Sequence, residues 1–310
     1  MRAVVCEELG SVVVRDVKPV EAGPGQVVIT VEAAGVNYVD GLFVQGKYQI
    51  KPPLPFVPGY EVAGTIAATG TRVLATCGLG GFAGHVVVPE LAAVPIPDQL
   101  DAARAATFTQ SYSTGLFALR NRGNLRPGET VLVLGAGGGV GLAAVQVAKA
   151  LGARVLAGAS SEPKREAALA AGADAVVDTA DDIKTAAREW SDGGVDLVYD
   201  PIGGGLADSA LRALREFGRY LVIGFASGTI PSLPLNQVLL RNRAVVGVDW
   251  GAWSMSRPLE QRALLDELLA LVADGKLAPV PPRTEPLESA AQVMDDLLNR
   301  RVVGKVALIP

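Results

Sequence analysis

The sequence holds only two cysteines, Cys6 and Cys77, and a single histidine, His85. Two thiols make no disulfide framework, so a reducing compartment, the cytoplasm, is expected. No stretch reaches the about eighteen unbroken apolar residues of a membrane span. The opening residues, MRAVVCEELG, carry no apolar segment of signal type. Charged residues are 19% of the chain, below the usual share of about a quarter. The formal net charge is -4 and no basic run stands out. Nucleic acid and anionic membrane surfaces are therefore not expected partners. Repeats, low-complexity segments and blocks of like charge are also missing.

What is present is a large apolar share, 49% of 310 residues, enough for one large core or two ordinary ones. Residues 1 to 108 read as β structure. Val12 to Val17 and Val27 to Glu32 alternate, and Glu61 to Ala67, Val73 to Thr76 and Gly84 to Val88 read as further strands. Gly10, Pro19, Gly23-Pro24-Gly25 and the proline-rich Lys51 to Gly59 punctuate them, which suggests a compact barrel-like β domain.

Near Ala102 the pattern changes. Asp101 to Phe108 and Ser113 to Arg122 have helical spacing. Beyond residue 130, short apolar runs at Ala175 to Val177, Val195 to Tyr199, Tyr220 to Gly224 and Ala244 to Val248 alternate with helical stretches at Pro163 to Ala171, Asp181 to Trp190, Leu206 to Glu216 and Leu235 to Leu240. That alternation predicts a parallel sheet with helices on both faces, an α/β doubly wound fold. Leu259 to Ala273 and Ser289 to Asn299 read as amphipathic helices and Lys305 to Ile309 as a last strand. The expected division is 1–108 with 259–310 as the β-rich domain and 109–258 as the doubly wound domain.

The stretch Thr130 to Leu156, TVLVLGAGGGVGLAAVQVAKALGARVL, organises the second domain. A buried strand, a glycine turn, a helix and a second strand follow in order. Ala136-x-Gly138-x-x-Gly141 fits the dinucleotide fingerprint, with Ala in the first glycine's place, and the flanking strand and helix are its required context. In such a unit the pyrophosphate sits at the helix N-terminus, on free N–H groups and the positive end of the dipole. The second strand then chooses between NAD and NADP. It ends in Gly158-Ala159-Ser160-Ser161, with no acid before Glu162, and Lys164-Arg165 follow. A hydroxyl and cations suit a 2′-phosphate, so NADPH is the expected cofactor. The alternative is that the two cations are only a solvated first helical turn.

The segments AAGVNYVDGLFVQGKY (Ala33 to Tyr48), LPFVPGYEVAGTI (Leu54 to Ile66), Gly128 to Ala153, DLVYDPIGGG (Asp196 to Gly205), GRYLVIGFASG (Gly218 to Gly228) and VVGVDWG (Val245 to Gly251) carry a family resemblance. The chain resembles the zinc-independent quinone oxidoreductase (zeta-crystallin-like) branch of the medium-chain dehydrogenase/reductase superfamily over nearly its whole length. The resemblance implies a Rossmann domain and a GroES-like β-rich barrel domain. Between Gly64 and Gly84 the chain is about ten residues shorter than relatives of this kind.

Zinc needs Cys, His or carboxylate ligands, usually three in a catalytic site. At the positions where the zinc-dependent branch carries its ligands this chain has Asn37, Tyr60 and Gln110. No metal is therefore expected. Without a Lewis acid, the chemistry left is hydride transfer to an acceptor that is already electrophilic, a quinone or a conjugated enone. Negative charge develops on the acceptor oxygen, so a nearby donor helps. Asn37, Tyr48 and Tyr60 are the candidates, with half-buried packing as the alternative for each tyrosine. Asp40 is either catalytic or a helix cap.

The resemblance implies further cofactor contacts. Asn37 and Thr114 fall at the nicotinamide, Gly138, Gly139 and Val140 at the pyrophosphate, and Ser160 and Lys164 at the 2′-phosphate. Phe225 and Ser227 line the nicotinamide side, Trp250 lies near the acceptor cleft, and Arg300 reaches the cofactor. It also implies a homodimer, formed through the apolar edge strand Val245 to Trp250. Three functions remain open: an NADPH-dependent quinone reductase, an enoyl or alkenal reductase of the same fold, and a nucleotide-binding protein without chemistry.

Overall fold

The computed structural model describes residues 1–310. They group into two units. One comprises Met1–Gln110, Leu269–Ala273 and Pro281–Pro310, the other Ser111–Leu268 and Asp274–Val280.

In the second unit the strand Thr130–Leu134 is buried along its whole length, as its unbroken apolar sequence requires of a central parallel strand. It lies in the middle of a six-stranded parallel sheet. The spatial order is Ala175–Asp178, Arg154–Ala159, Thr130–Leu134, Val195–Asp200, Leu214–Val222, Ala244–Gly247. Counted in chain order, the first strand is central and the order reverses between it and the fourth. This is the doubly wound arrangement, and its switch point lies between Thr130–Leu134 and Val195–Asp200. Leu132, Leu134, Leu156, Val198, Leu211 and Tyr220 fill one core layer.

Three local expectations change. The helix expected over Leu206 to Glu216 stops at Ala213, because Leu214 turns extended (ψ 143°) and pairs with Val195. The edge strand ends at Gly247. Asp249 then caps a helix, Trp250–Ser256, by accepting the Ala252 N–H at 2.9 Å. The long helix Pro258–Ala273 divides at Leu268, so its larger part groups with the second unit and not, as expected, with the β-rich domain. Gln261 and Glu267 on that part pair with Ser113 and Arg120 of the same unit.

In the first unit the eleven-residue strand Gln26–Val36 pairs with Glu61–Ile66, His85–Pro89 and Val306–Ile309. Arg72–Thr76, Ala93–Pro95 and Arg283–Pro286 extend the sheet, and Arg2–Glu8 forms a separate antiparallel pair with Ser11–Asp16. Ile29, Val31, Val62, Val73, Phe82 and Leu308 are among its core. The region between Gly64 and Gly84 holds a hairpin: Ile66 N–H donates to Thr71 O at 2.9 Å, with Gly70 at φ +72° in the turn. A short helix, Tyr38–Val44, follows the long strand, as the helix-cap alternative for Asp40 requires. No helix is long and apolar enough to cross a membrane.

Candidate active site

The glycine turn closes directly onto the helix Gly139–Ala150. Gly138 is extended (φ -91°, ψ 166°) and caps it, and the first intrahelical bond is Leu142 N–H to Gly138 O at 2.8 Å. The N–H groups of Gly139, Val140 and Gly141 precede that bond, so this helix end can receive an anion. All three of Gly138, Gly139 and Val140 are half-buried and within reach of solvent. Gly141 lets the helix approach the strand: a Cβ there would overlap the Gly135 carbonyl oxygen and stand 2.7 Å from Ala136 Cα.

Ser160 is exposed just past the second strand, and Ser161 begins the helix Glu162–Ala170. The two cations of that helix part company. Lys164 lays its stem against Gly137 of the glycine turn. Arg165 turns to Asp178, 2.6 Å away, and also donates to Ala159 O at 3.3 Å. The Ala180 N–H and the Arg165 guanidinium hold the Asp178 carboxyl below its ordinary range. Of the pair, only Lys164 lies against the turn.

At the end of the fourth strand, Asp200 is buried. Its Oδ1 accepts the N–H groups of Ile202 (2.7 Å) and Gly203 (2.9 Å), and its Oδ2 accepts the Tyr220 hydroxyl. Burial and the neighbouring carboxylate raise the Tyr220 pKa, so the hydroxyl stays a donor. This pair fixes the loop that flanks the switch point. The Phe225–Ser227 loop folds over it: Ala226 N–H donates to Pro201 O and Ser227 N–H to Ile202 O, both at 3.0 Å. Thr114 is half-buried one residue before Gly115, which packs 3.6 Å from Ala144 Cα on the dinucleotide helix. Trp250 opens the helix Trp250–Ser256. It is 6% exposed, and its indole N–H donates to Gln261 Oε1 at 2.8 Å, so it offers a ligand no donor.

The first unit gathers a polar cluster around Asn37, which is 3% exposed. Its Nδ2 donates to Glu61 Oε1 at 3.1 Å, and its Oδ1 accepts the Lys305 ammonium. Lys305 Nζ also lies 3.0 Å from Glu61 Oε1, and the Gln110 N–H donates to Glu61 Oε2 at 2.9 Å. Asp40 Oδ2 accepts the Asn37 N–H at 2.8 Å, so this carboxyl caps its helix from inside the first turn. Burial pushes the Asp40 pKa up to about 7, against the pull of that N–H and of Lys305. Cys77 donates its thiol to Gly59 O and Tyr60 O, and burial raises its pKa.

Tyr48 is half-buried, edge-on to Phe43 at 4.8 Å between ring centroids, and Tyr60 is half-buried immediately before Glu61. Arg300 is exposed at φ +60°, where its N–H closes the helix Ala290–Leu298 onto Leu297 O. No three His, Cys, Asp or Glu side chains come together as a metal-holding group. The carboxamide of Asn37, the phenol of Tyr60 and the amide of Gln110 are poor zinc donors, and an ammonium already lies against Asn37 and Glu61. This donor set does not fit zinc.

Two known families match the chain. The family described as alcohol dehydrogenase GroES-like domain covers residues 23–98, and that described as zinc-binding dehydrogenase covers residues 139–269. A quinone oxidoreductase-like protein 2 homolog from Nematostella vectensis is 38% identical over 99% of this chain and 88% of its own length. The quinone oxidoreductase of Thermus thermophilus, whose complex with NADPH is also solved, is 37% identical. It superposes with a TM-score of 0.88 over the whole of both chains. A probable oxidoreductase from Mycobacterium abscessus is 38% identical with a TM-score of 0.90, over 100% of this chain and 99% of its own. The chain belongs to the quinone oxidoreductase-like branch of the medium-chain dehydrogenase/reductase superfamily.

In this medium-chain oxidoreductase the expected site residues fall into two sets. Thr114, Gly138, Gly139, Val140, Ser160, Lys164, Phe225, Ser227 and Trp250 belong to the Rossmann unit, and Asn37, Tyr48, Tyr60 and Arg300 to the GroES-like unit. Glu61, Lys305, Asp200 and Tyr220 were not foreseen. Asp200 carried a local signal, an aspartate leading into Pro-x-Gly, the composition of a side-chain-closed turn. Lys305 carried none.

Proposed function

We propose that this oxidoreductase uses NADPH to reduce quinones without zinc. The observation that carries the nucleotide choice is Lys164, whose stem lies on the glycine turn beside a second strand that ends without an acid. Bound NADPH supplies a hydride to the acceptor. Gly138, Gly139 and Val140 offer backbone N–H groups to its pyrophosphate, and Ser160 and Lys164 hold the 2′-phosphate. Thr114, Phe225, Ser227 and Arg300 orient the rest of the cofactor. Trp250 lies near the acceptor cleft, its indole N–H held by Gln261. Asn37, Tyr48 and Tyr60 serve the acceptor side, where a donor stabilises charge on the acceptor oxygen.

The donor set around Asn37 supports chemistry without a metal, since Lys305 already provides the cluster's fixed positive charge. The acceptor is a small molecule, not a nucleic acid. The chain is assigned to the cytoplasm and to a homodimer through its Rossmann edge, where Val245 is 42% exposed on the outermost strand.

Turnover of NADPH with a benzoquinone, a naphthoquinone, an alkenal and an enoyl thioester tests the substrate. Quinones are expected to be reduced fastest. Turnover of the alkenal or thioester alone would make the chain an enone reductase, and tight NADPH binding with no turnover would make it a nucleotide-binding protein.

A further inference from the structure

Sheet register brings a distant lysine to Asn37. The strand Val306–Ile309 runs antiparallel to Gln26–Val36, with Val306 opposite Val36, so the next residue outward, Lys305, comes opposite Asn37. On the other side of the long strand, Glu61 pairs with Gly35. Lys305 is 11% and Glu61 1% exposed at the side chain, so both charges lie out of water.

The chemistry of the three partners leaves one arrangement. An ammonium only donates hydrogen bonds and an ionised carboxylate only accepts them. Lys305 therefore meets Asn37 Oδ1, and Glu61 meets Asn37 Nδ2 at 3.1 Å. Turning the carboxamide over would set NH2 against the ammonium and C=O against the carboxylate. Both contacts would be repulsive and poorly solvated.

We propose that Lys305, together with Glu61, is a positioning residue that locks the orientation of the Asn37 carboxamide. It acts on the acceptor chemistry through Asn37 and touches neither cofactor nor acceptor. The effect on turnover rests on the quinone-reductase reading; the lock itself does not. Breaking a buried pair by removing one charge destabilises a fold for reasons unrelated to catalysis. A useful test therefore removes both charges, or keeps both.

Lys305→Met/Glu61→Gln removes both, and Lys305→Arg keeps both. The double variant is expected to retain its NADPH affinity and its KM for benzoquinone while kcat falls about 10- to 100-fold, the usual cost of a misplaced group. Lys305→Arg is expected to recover most of that loss. A folded double variant with the parent's kcat would overturn the proposal. If the double variant does not fold, the side-chain amide signals of Asn37 in the parent protein decide, assigned by their loss in Asn37→Ser. Nδ2 protons protected from exchange with solvent, with a scalar coupling across the hydrogen bond to Glu61, are expected, and protons that exchange as fast as those of an exposed asparagine would overturn the lock. If no quinone is turned over, the quinone reading fails and these amide signals still decide the lock on their own.

Discussion

The side-chain stem of Lys164 lies across Gly137, so close that a Cβ on Gly137 would overlap Lys164 Cβ and stand 2.6 Å from its Cγ. Gly137 occupies a position that the dinucleotide fingerprint leaves free. Its smallness here makes room for the lysine. One residue thus ties the turn proposed for the pyrophosphate to the cation proposed for the 2′-phosphate.

Gly137→Ala tests that tie. The added methyl must push Lys164 off the turn, because the Cβ also comes within 2.9 Å of Lys164 Cα. The Kd for NADPH is expected to rise about tenfold, with that for NADH nearly unchanged, since one weakened charge-assisted contact is worth about 1.4 kcal/mol. Fluorescence titration of both nucleotides measures it. An equal rise for both would assign the effect to the turn alone.

Lys164→Ala removes the charge itself. Hydrogen bonds to charged groups contribute about 1.5–3 kcal/mol, so the NADPH Kd is expected to rise about 10- to 100-fold. NADH has no 2′-phosphate, and its affinity is expected to hold. Arg165→Ala is the contrast: Arg165 is bound to Asp178, so its loss is expected to leave nucleotide preference intact. Equal effects of Lys164→Ala on both nucleotides would place the 2′-phosphate elsewhere.

Tyr220→Phe leaves Asp200 Oδ2 without its hydroxyl donor in a buried site. The unfolding free energy is expected to fall by about 1–3 kcal/mol, the cost of a buried acceptor left unpaired. Chemical denaturation reads it, and an unchanged midpoint and slope would show that the Ile202 and Gly203 N–H groups suffice for Asp200.

Asp40 gives the fold a pH dependence. Folded, its carboxyl has a pKa raised to about 7 by burial; unfolded, an aspartate titrates near about 3.9. Between those values the folded chain binds more protons than the unfolded one, so stability from this group falls as pH rises and levels off above the folded pKa. Asp40→Asn is expected to flatten that slope, and its stability relative to the parent is expected to rise between about pH 4 and pH 7. Denaturation midpoints across that range test this. Parallel profiles for the two proteins would contradict it.

Much of the Rossmann unit was legible because its signals are local. Thr130–Leu134 is apolar throughout, the glycines follow at fixed spacing, and the next helix shows its apolar stripe within one segment. The helix Tyr38–Val44 showed only through Asp40 as a candidate cap, because its two valines and a glycine disfavour helix; Asn37 and Asp40 hold it at its start. Lys164 and Arg165 read alike in sequence, yet successive helical residues diverge by about 100°, so only one of them faces the glycine turn. Trp250 sits in a segment that resembles an edge strand, and only the cap at Asp249 turns it inward. The cluster of Asn37, Glu61 and Lys305 was beyond reach for another reason. Its members are far apart in the chain and meet through strand register, which no local pattern encodes.

The most direct test of the account is a single turnover. The protein loaded with one equivalent of NADPH is mixed with excess benzoquinone, and both products are counted. Hydride from NADPH and one proton from solvent or protein convert the quinone to hydroquinone, so one NADP+ and one hydroquinone are expected per site. NADPH that stays reduced in the presence of quinone, while an alkenal oxidises it, would contradict the account.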